Sequence, residues 1–183
     1  MTADGLPFRE LIVDTSALFP LLVYHYAQKT GAERGRRQRL LMDARSKPPN
    51  LTVDQYDRWL RFFLSAHERM ATQHIVAELY GLRRRLRITN EEQAEFWRCS
   101  SEFLVSETFR EQSCTLGDIW DTPGVRELSI RIGPVDASLI LLALREGCTL
   151  KSREGMLVSD DDGLHREAQR LKIHSELLAE LLR

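Results

Sequence analysis

The stretch LIVDTSALF, residues 11–19, carries three consecutive apolar residues straight into Asp14, Thr15 and Ser16. Continuous rather than alternating apolar residues predict a strand buried on both faces, as in a parallel sheet covered by helices. TSALFPLLVYHYAQ (15–28) predicts the helix that follows, with Pro20 either near its first turn or kinking it. Near the other end, GMLVSDDDGLHREAQRLKI (155–173) repeats the plan: apolar strand, hydroxyl, acids, helix.

Working inward, TVDQYDRWLRFFLSAHERM (52–70) predicts a helix with Thr52 and Gln55 as a capping box. Tyr56, Trp59, Leu60, Phe63 and Leu64 fall on one face of it. RMAT (69–72) suggests a short second strand, and QHIVAELYGLRRRLR (73–87) a helix. Another helix starts at NEEQAEFW (90–97), with Asn90 and Gln93 as its cap. VDASLILLALREG (135–147) is apolar nearly all round, which predicts a central, buried helix ending near Gly147. KIHSELLAELLR (172–183) suggests a last short strand and an amphipathic helix. Residues 31–50 are basic and end in the loop signal SKPPN. Residues 106–132 read poorly: TLGDIWDTPGV is turn-rich, and RELSIRIG fits a strand or irregular chain. Strands alternating with helices imply an α/β layer fold with a mostly parallel sheet, in one domain over residues 1–183.

Composition narrows the function classes. A chain with 43% hydrophobic and 29% charged residues is globular rather than disordered. No apolar run is long enough to span a bilayer, and MTADGLPFRE lacks the basic start and apolar middle of a signal peptide. A cytoplasmic protein with no membrane contact is the expectation. Cys99, Cys114 and Cys148 are odd in number and widely spaced, so free buried thiols are expected rather than a zinc site or disulfide framework. Net charge is -1, which gives the whole chain no pull toward nucleic acid, although ERGRRQR (33–39) and RRRLR (83–87) are basic clusters.

The acids carry the chemistry. Asp14 ends the first strand, where a helix cap is the bland alternative. Glu78 is placed by helical spacing beside Ile75 and Leu82, on the inward side. Burying a lone carboxylate there costs on the order of several kcal/mol unless it is paired with an arginine or bound to a metal. Asp136 opens an almost wholly apolar helix, where capping is again the alternative. Asp160, Asp161 and Asp162 exceed what one cap needs, and their mutual repulsion is what a cation relieves. Both strands that end in hydroxyl plus acid reach the same edge of a parallel sheet, so Asp14 and Asp161 can converge there. Asp136 and Glu78 can reach that edge from helices. Four carboxylates with no cationic partner evident suit Mg²⁺ or Mn²⁺, which prefer oxygen ligands.

LIVDTSALF, TQHIVAEL (72–79), GPVDASLILLAL (133–144) and MLVSDDDGL (156–164), in that order, resemble the PIN-domain family of metal-dependent ribonucleases. The resemblance implies a three-layer α/β/α fold with a helical insertion at about 24–70. It implies catalytic and metal-binding roles for Asp14, Glu78, Asp136 and Asp161, with Asp160 as a helper ligand. Ser16 and Ser159 match the hydroxyls that brace such acids. The implied activity is divalent-metal-dependent hydrolysis of RNA phosphodiester bonds, with Arg36, Arg37, Arg83, Arg84 and Arg85 positioned to hold flanking phosphates. The implied partners are RNA, a second copy of the chain in a homodimer, and an antitoxin protein if the chain is a toxin of a toxin–antitoxin pair. A catalytically inactive module of the same fold, docking RNA or a protein, is the rival expectation. Other acid-rich sites fit less well: a haloacid-dehalogenase pattern needs a second Asp where Ser16 stands, and an integrin-like D-x-S-x-S pattern is broken by Leu18.

Overall fold

The computed structural model describes residues 9–45, 51–107, 109–151 and 154–183, so the SKPPN loop signal and the first eight residues lie outside the described residues. Strand β1 (Glu10–Val13) leads into helix α1 (Thr15–Lys29), followed by α2 (Arg34–Ala44) and α3 (Val53–Ser65). Strand β2 (Glu68–Thr72) then feeds α4 (Gln73–Leu82), which tightens into a 3-10 turn at Arg83–Arg85. Helix α5 (Asn90–Ser106), strand β3 (Phe109–Gln112) and helices α6 (Leu116–Asp121), α7 (Pro123–Ile132) and α8 (Pro134–Arg145) follow. The chain closes with β4 (Gly155–Ser159), α9 (Asp162–Arg170), β5 (Ser175–Leu177) and α10 (Leu178–Leu181).

The five strands form one sheet in the order β3-β2-β1-β4-β5, and every neighbouring pair is parallel. Central β1 and β4 are the most apolar, and Leu11, Ile12, Val13, Leu157 and Val158 have no exposed surface. Helices flank the sheet in an α/β/α arrangement: α1 packs with α2, α3, α4 and α5, while α8 lies on β1, β2 and β4 beside α6 and α7. Buried residues form one continuous core.

The segment expected as a helical insertion contains two helices of its own, α2 and α3, between the end of α1 at Lys29 and the start of β2 at Glu68. The α3 cap is as expected: Thr52 and Gln55 bond reciprocally across the first turn. Tyr56, Trp59 and Phe63 are fully buried, but Leu64 is exposed, because the buried stripe advances from Trp59 to Phe63 by four residues and leaves Leu64 at its margin. Pro20 lies inside α1 rather than in its first turn. Its missing N–H leaves the Ser16 carbonyl without its helical donor. The Trp59 indole donates to the next carbonyl, Ala17, at 3.1 Å and ties α3 to this part of α1.

Three expectations change. The α5 cap is Thr89 with Glu92, one residue earlier than Asn90 and Gln93, because the Thr89 hydroxyl meets the Glu92 N–H at 3.2 Å. RELSIRI is helix α7, not strand: Val125, Leu128 and the half-buried Ile132 follow helical spacing. Pro123 starts that helix, and Gly133, at φ +90°, ends it and turns the chain into Pro134 at the start of α8. Edge strand β3 has the sequence FREQ, too polar for apolar patterning to reveal it. Cys99, Cys114 and Cys148 are free and buried, as expected.

Candidate functional site

In a 3-2-1-4-5 parallel sheet the winding direction reverses between β1 and β4, and the crevice at their carboxyl ends is where such sheets bind ligands. Val13 pairs with Val158 in register, and the Asp14 N–H donates to the Val158 carbonyl at 3.0 Å. Both hydroxyl-plus-acid segments therefore begin side by side. A pocket of about 270 Å³ opens there, lined by Asp14, Thr15, Ser16, Arg45, Glu78, Arg85, Asp136, Asp160 and Asp161, with Phe19, Ala44 and Leu82 as apolar wall. All four carboxylates expected at the site share this pocket.

Asp14 is buried at the floor. Its Oδ2 accepts from the Ser16 hydroxyl at 2.5 Å, the Ser159 hydroxyl at 2.7 Å and the Ser16 N–H at 3.3 Å. The cap and the site are thus the same residue: one oxygen starts α1 while the carboxyl lines the pocket. Burial pushes its pKa up, and the hydrogen bonds from Ser16 and Ser159 pull the other way. Ser159 also accepts from the Asp161 N–H at 2.8 Å, and Ser16 accepts from the Asp160 N–H at 2.7 Å. Two serines therefore stitch β1 to the turn after β4.

Asp161 caps α9, its Oδ1 accepting from the Gly163 N–H at 2.7 Å and the Leu164 N–H at 3.1 Å. Asp136 does not cap: Gly133 holds that position in α8, and no side chain bonds there. The Asp136 carboxyl is instead pushed up to about 7 by burial first and then by the charges of Asp14, Asp161 and Glu78. In the same helix the Ser138 hydroxyl lies 2.9 Å from that of Thr72, joining α8 to the end of β2.

Two expectations about the acids are corrected. Glu78 is exposed, not buried, because the inward stripe of α4 runs through Ile75 and Leu79 and leaves Glu78 at the pocket mouth. Its Oε2 accepts from the buried Thr15 hydroxyl at 2.8 Å, which anchors it without deep burial. The cluster also has a cationic partner after all: Arg45, following α2, pairs with Asp160. Asp160, expected as a helper ligand, lines the pocket and is engaged there by a guanidinium.

The arginines disperse. Arg85 lines the pocket. Arg83 stacks on the Tyr80 ring at 3.6 Å and donates to the Tyr80 carbonyl at 2.5 Å. Arg84 is exposed outside the pocket lining. Arg36 pairs with Glu92 and Arg37 donates to the Ala32 carbonyl at 3.1 Å, both away from the pocket lining. Thr15 and Arg45 are site residues that sequence reasoning missed. Thr15 was legible as part of the hydroxyl-rich strand end, whereas no pattern marks Arg45 among the basic residues of 31–50.

A scan against protein-family models matches no family, and a search of curated proteins finds no relative. The donor set is therefore judged on its own chemistry. It is all oxygen, from carboxylates and hydroxyls, and suits hard divalent cations rather than zinc or copper. The mutual repulsion that lifts Asp136 is the kind a cation relieves. Among the described residues, no three His, Cys, Asp or Glu side chains are already grouped closely enough to hold an ion.

Proposed function

We propose that this protein is a divalent-metal-dependent endoribonuclease of the PIN type, hydrolysing RNA phosphodiester bonds at the pocket between β1 and β4, with Mg²⁺ or Mn²⁺ as cofactor. The observation that carries the reading is the convergence on Asp136 of the charges of Asp14, Asp161 and Glu78, from four separate segments, at the switch point of a parallel sheet. A purely structural role does not account for it, since like charges gathered in a half-buried pocket destabilise the fold.

Asp14, Glu78, Asp136 and Asp161 are the residues that would hold the cation. A divalent cation bound there supplies a lowered pKa for water and offsets the charge of a phosphate. The hydroxyls of Ser16, Ser159 and Thr15 fix the directions of Asp14 and Glu78. Arg85 at the pocket wall offers a guanidinium to a flanking phosphate, a contact that positions without reading sequence. Phe19, Ala44 and Leu82 keep part of the wall dry.

The test is cleavage of labelled single-stranded RNA by purified protein with Mg²⁺ or Mn²⁺, against EDTA and Asp14→Asn controls. Metal-dependent cleavage lost in Asp14→Asn supports the reading. Absence of cleavage with either ion, in protein that is folded, moves the chain to the second reading, an inactive docking module. That second reading is favoured by the acids not being closed into a ligand group among the described residues. A toxin's antitoxin and a homodimer belong to the resemblance, and a cytoplasmic location to the sequence composition; all three extend the proposal. Among the described residues no helix is long and apolar enough to cross a membrane.

A further inference from the structure

The helical segment between α1 and β2 carries a guanidinium into the acidic pocket. Arg45 follows the last turn of α2 and pairs with Asp160; their side chains are only 4% and 9% exposed. Tyr56 of α3 is wholly buried beside the pair. Burial raises the Tyr56 phenol, Arg45 opposes that rise and Asp160 reinforces it, so the phenol senses both members. Asp160 is held at a second point, where its N–H donates to the Ser16 hydroxyl, which itself donates to Asp14.

Five carboxylates line the pocket, and the protein itself supplies the counter-charge for one of them. The Arg45 guanidinium is screened from solvent here. A second divalent ion would have to sit close to this fixed positive charge, and would lack Asp160 as a ligand. Paired ions in phosphoryl-transfer sites stand about 4 Å apart and share carboxylates. We infer that Arg45 takes the place of a second cation, so that the pocket holds a single divalent ion. Arg45 is then a positioning residue: it withholds Asp160 from the ion and anchors the turn that presents Asp161. This rests on the metal-site reading above and deepens it.

The experiment is Mn²⁺ titration of the whole chain, with bound ion counted by electron paramagnetic resonance and calorimetry. Wild type should bind one Mn²⁺ per chain. Arg45→Met keeps the apolar stem and removes the charge; it should bind two, and Arg45→Met/Asp160→Asn should return to one. Arg45→Lys should remain at one, since charge alone blocks the second ion. Two ions in the wild type overturn the inference while leaving the proposed metal site standing. One ion in a folded Arg45→Met also overturns it. No Mn²⁺ bound to the wild type refutes the proposed function and the inference with it. The wild-type count needs no variant to fold, so the idea stays exposed to refutation whatever the stability of Arg45→Met.

Discussion

Replacing Asp136 by Asn removes one charge from the acidic pocket while nearly preserving shape, and the structure gives the sign and size of the effect on stability. The folded carboxyl titrates at about 7, against an ordinary value of 3.8. Across that interval the folded chain holds a proton that the unfolded chain has lost. Stability from this group is therefore fully present below pH 3.8 and falls as pH rises toward 7. Each pH unit is worth about 1.4 kcal/mol, so the interval sets a ceiling of about 4 kcal/mol. Partial solvent access to the carboxyl brings the expected effect to about 2 kcal/mol. Urea denaturation in EDTA at pH 4, 5, 6, 7 and 8 measures it. Asp136→Asn should match the wild type near pH 4 and exceed it by about 2 kcal/mol at pH 8. Saturating Mn²⁺ should stabilise the wild type most at the alkaline end, because cation binding requires the carboxylate. Wild-type and variant curves that run parallel in pH would refute the argument that burial and neighbouring charges act on Asp136.

Asp161→Asn keeps a side-chain oxygen to accept from Gly163 and Leu164, so stability should change by less than about 1 kcal/mol while metal-dependent cleavage is lost; thermal melts and the RNA assay together separate the two roles. Arg85→Ala should leave Mn²⁺ binding intact and reduce the slope of log affinity against log salt for RNA by about 1, as read by fluorescence anisotropy with a non-cleaving ion. Gly155→Ala should destabilise by about 2 kcal/mol in chemical denaturation, since the added Cβ meets the buried Cys148 Sγ at 2.3 Å. Cys148→Ala should recover part of that loss, because the two changes act on one contact.

The parts of the site written in local sequence were legible, and the parts made by tertiary approach were not. LIV and MLV each run into a hydroxyl and an acid, and both elements are strands ending at the same sheet edge because a parallel sheet aligns their carboxyl ends. Asp136 was legible as a position, but its role follows from a glycine at +90° taking the cap and leaving the carboxyl to the pocket. Helical spacing sets Glu78 too deep because it assigns a face, not the height of neighbouring walls; the contact with Thr15 explains how an exposed glutamate is held. Strand β3 was invisible because an edge strand can afford Arg110 and Glu111, whose exposure erases the apolar signal. Helix α7 is hard to see in the sequence because Thr122 and Pro123 look like a turn and are also a good helix start.

Arg45 is the clearest case of what one-dimensional reading leaves out, and it changes the electrostatic account of the pocket. Five carboxylates around one space demand compensation, and sequence offers only an external cation as the source. The fold supplies partial sources of its own: hydroxyl donors on Asp14 and Glu78, backbone N–H donors on Asp161, and a buried guanidinium on Asp160. Among the described residues none of these acts on Asp136, which is the one driven to about 7. The uncompensated charge is therefore concentrated at a single carboxyl facing three others, which is where a cation gains most on binding. The segment of α2 and α3 contributes to that focus through Arg45 and Tyr56, although neither helix carries one of the five acids.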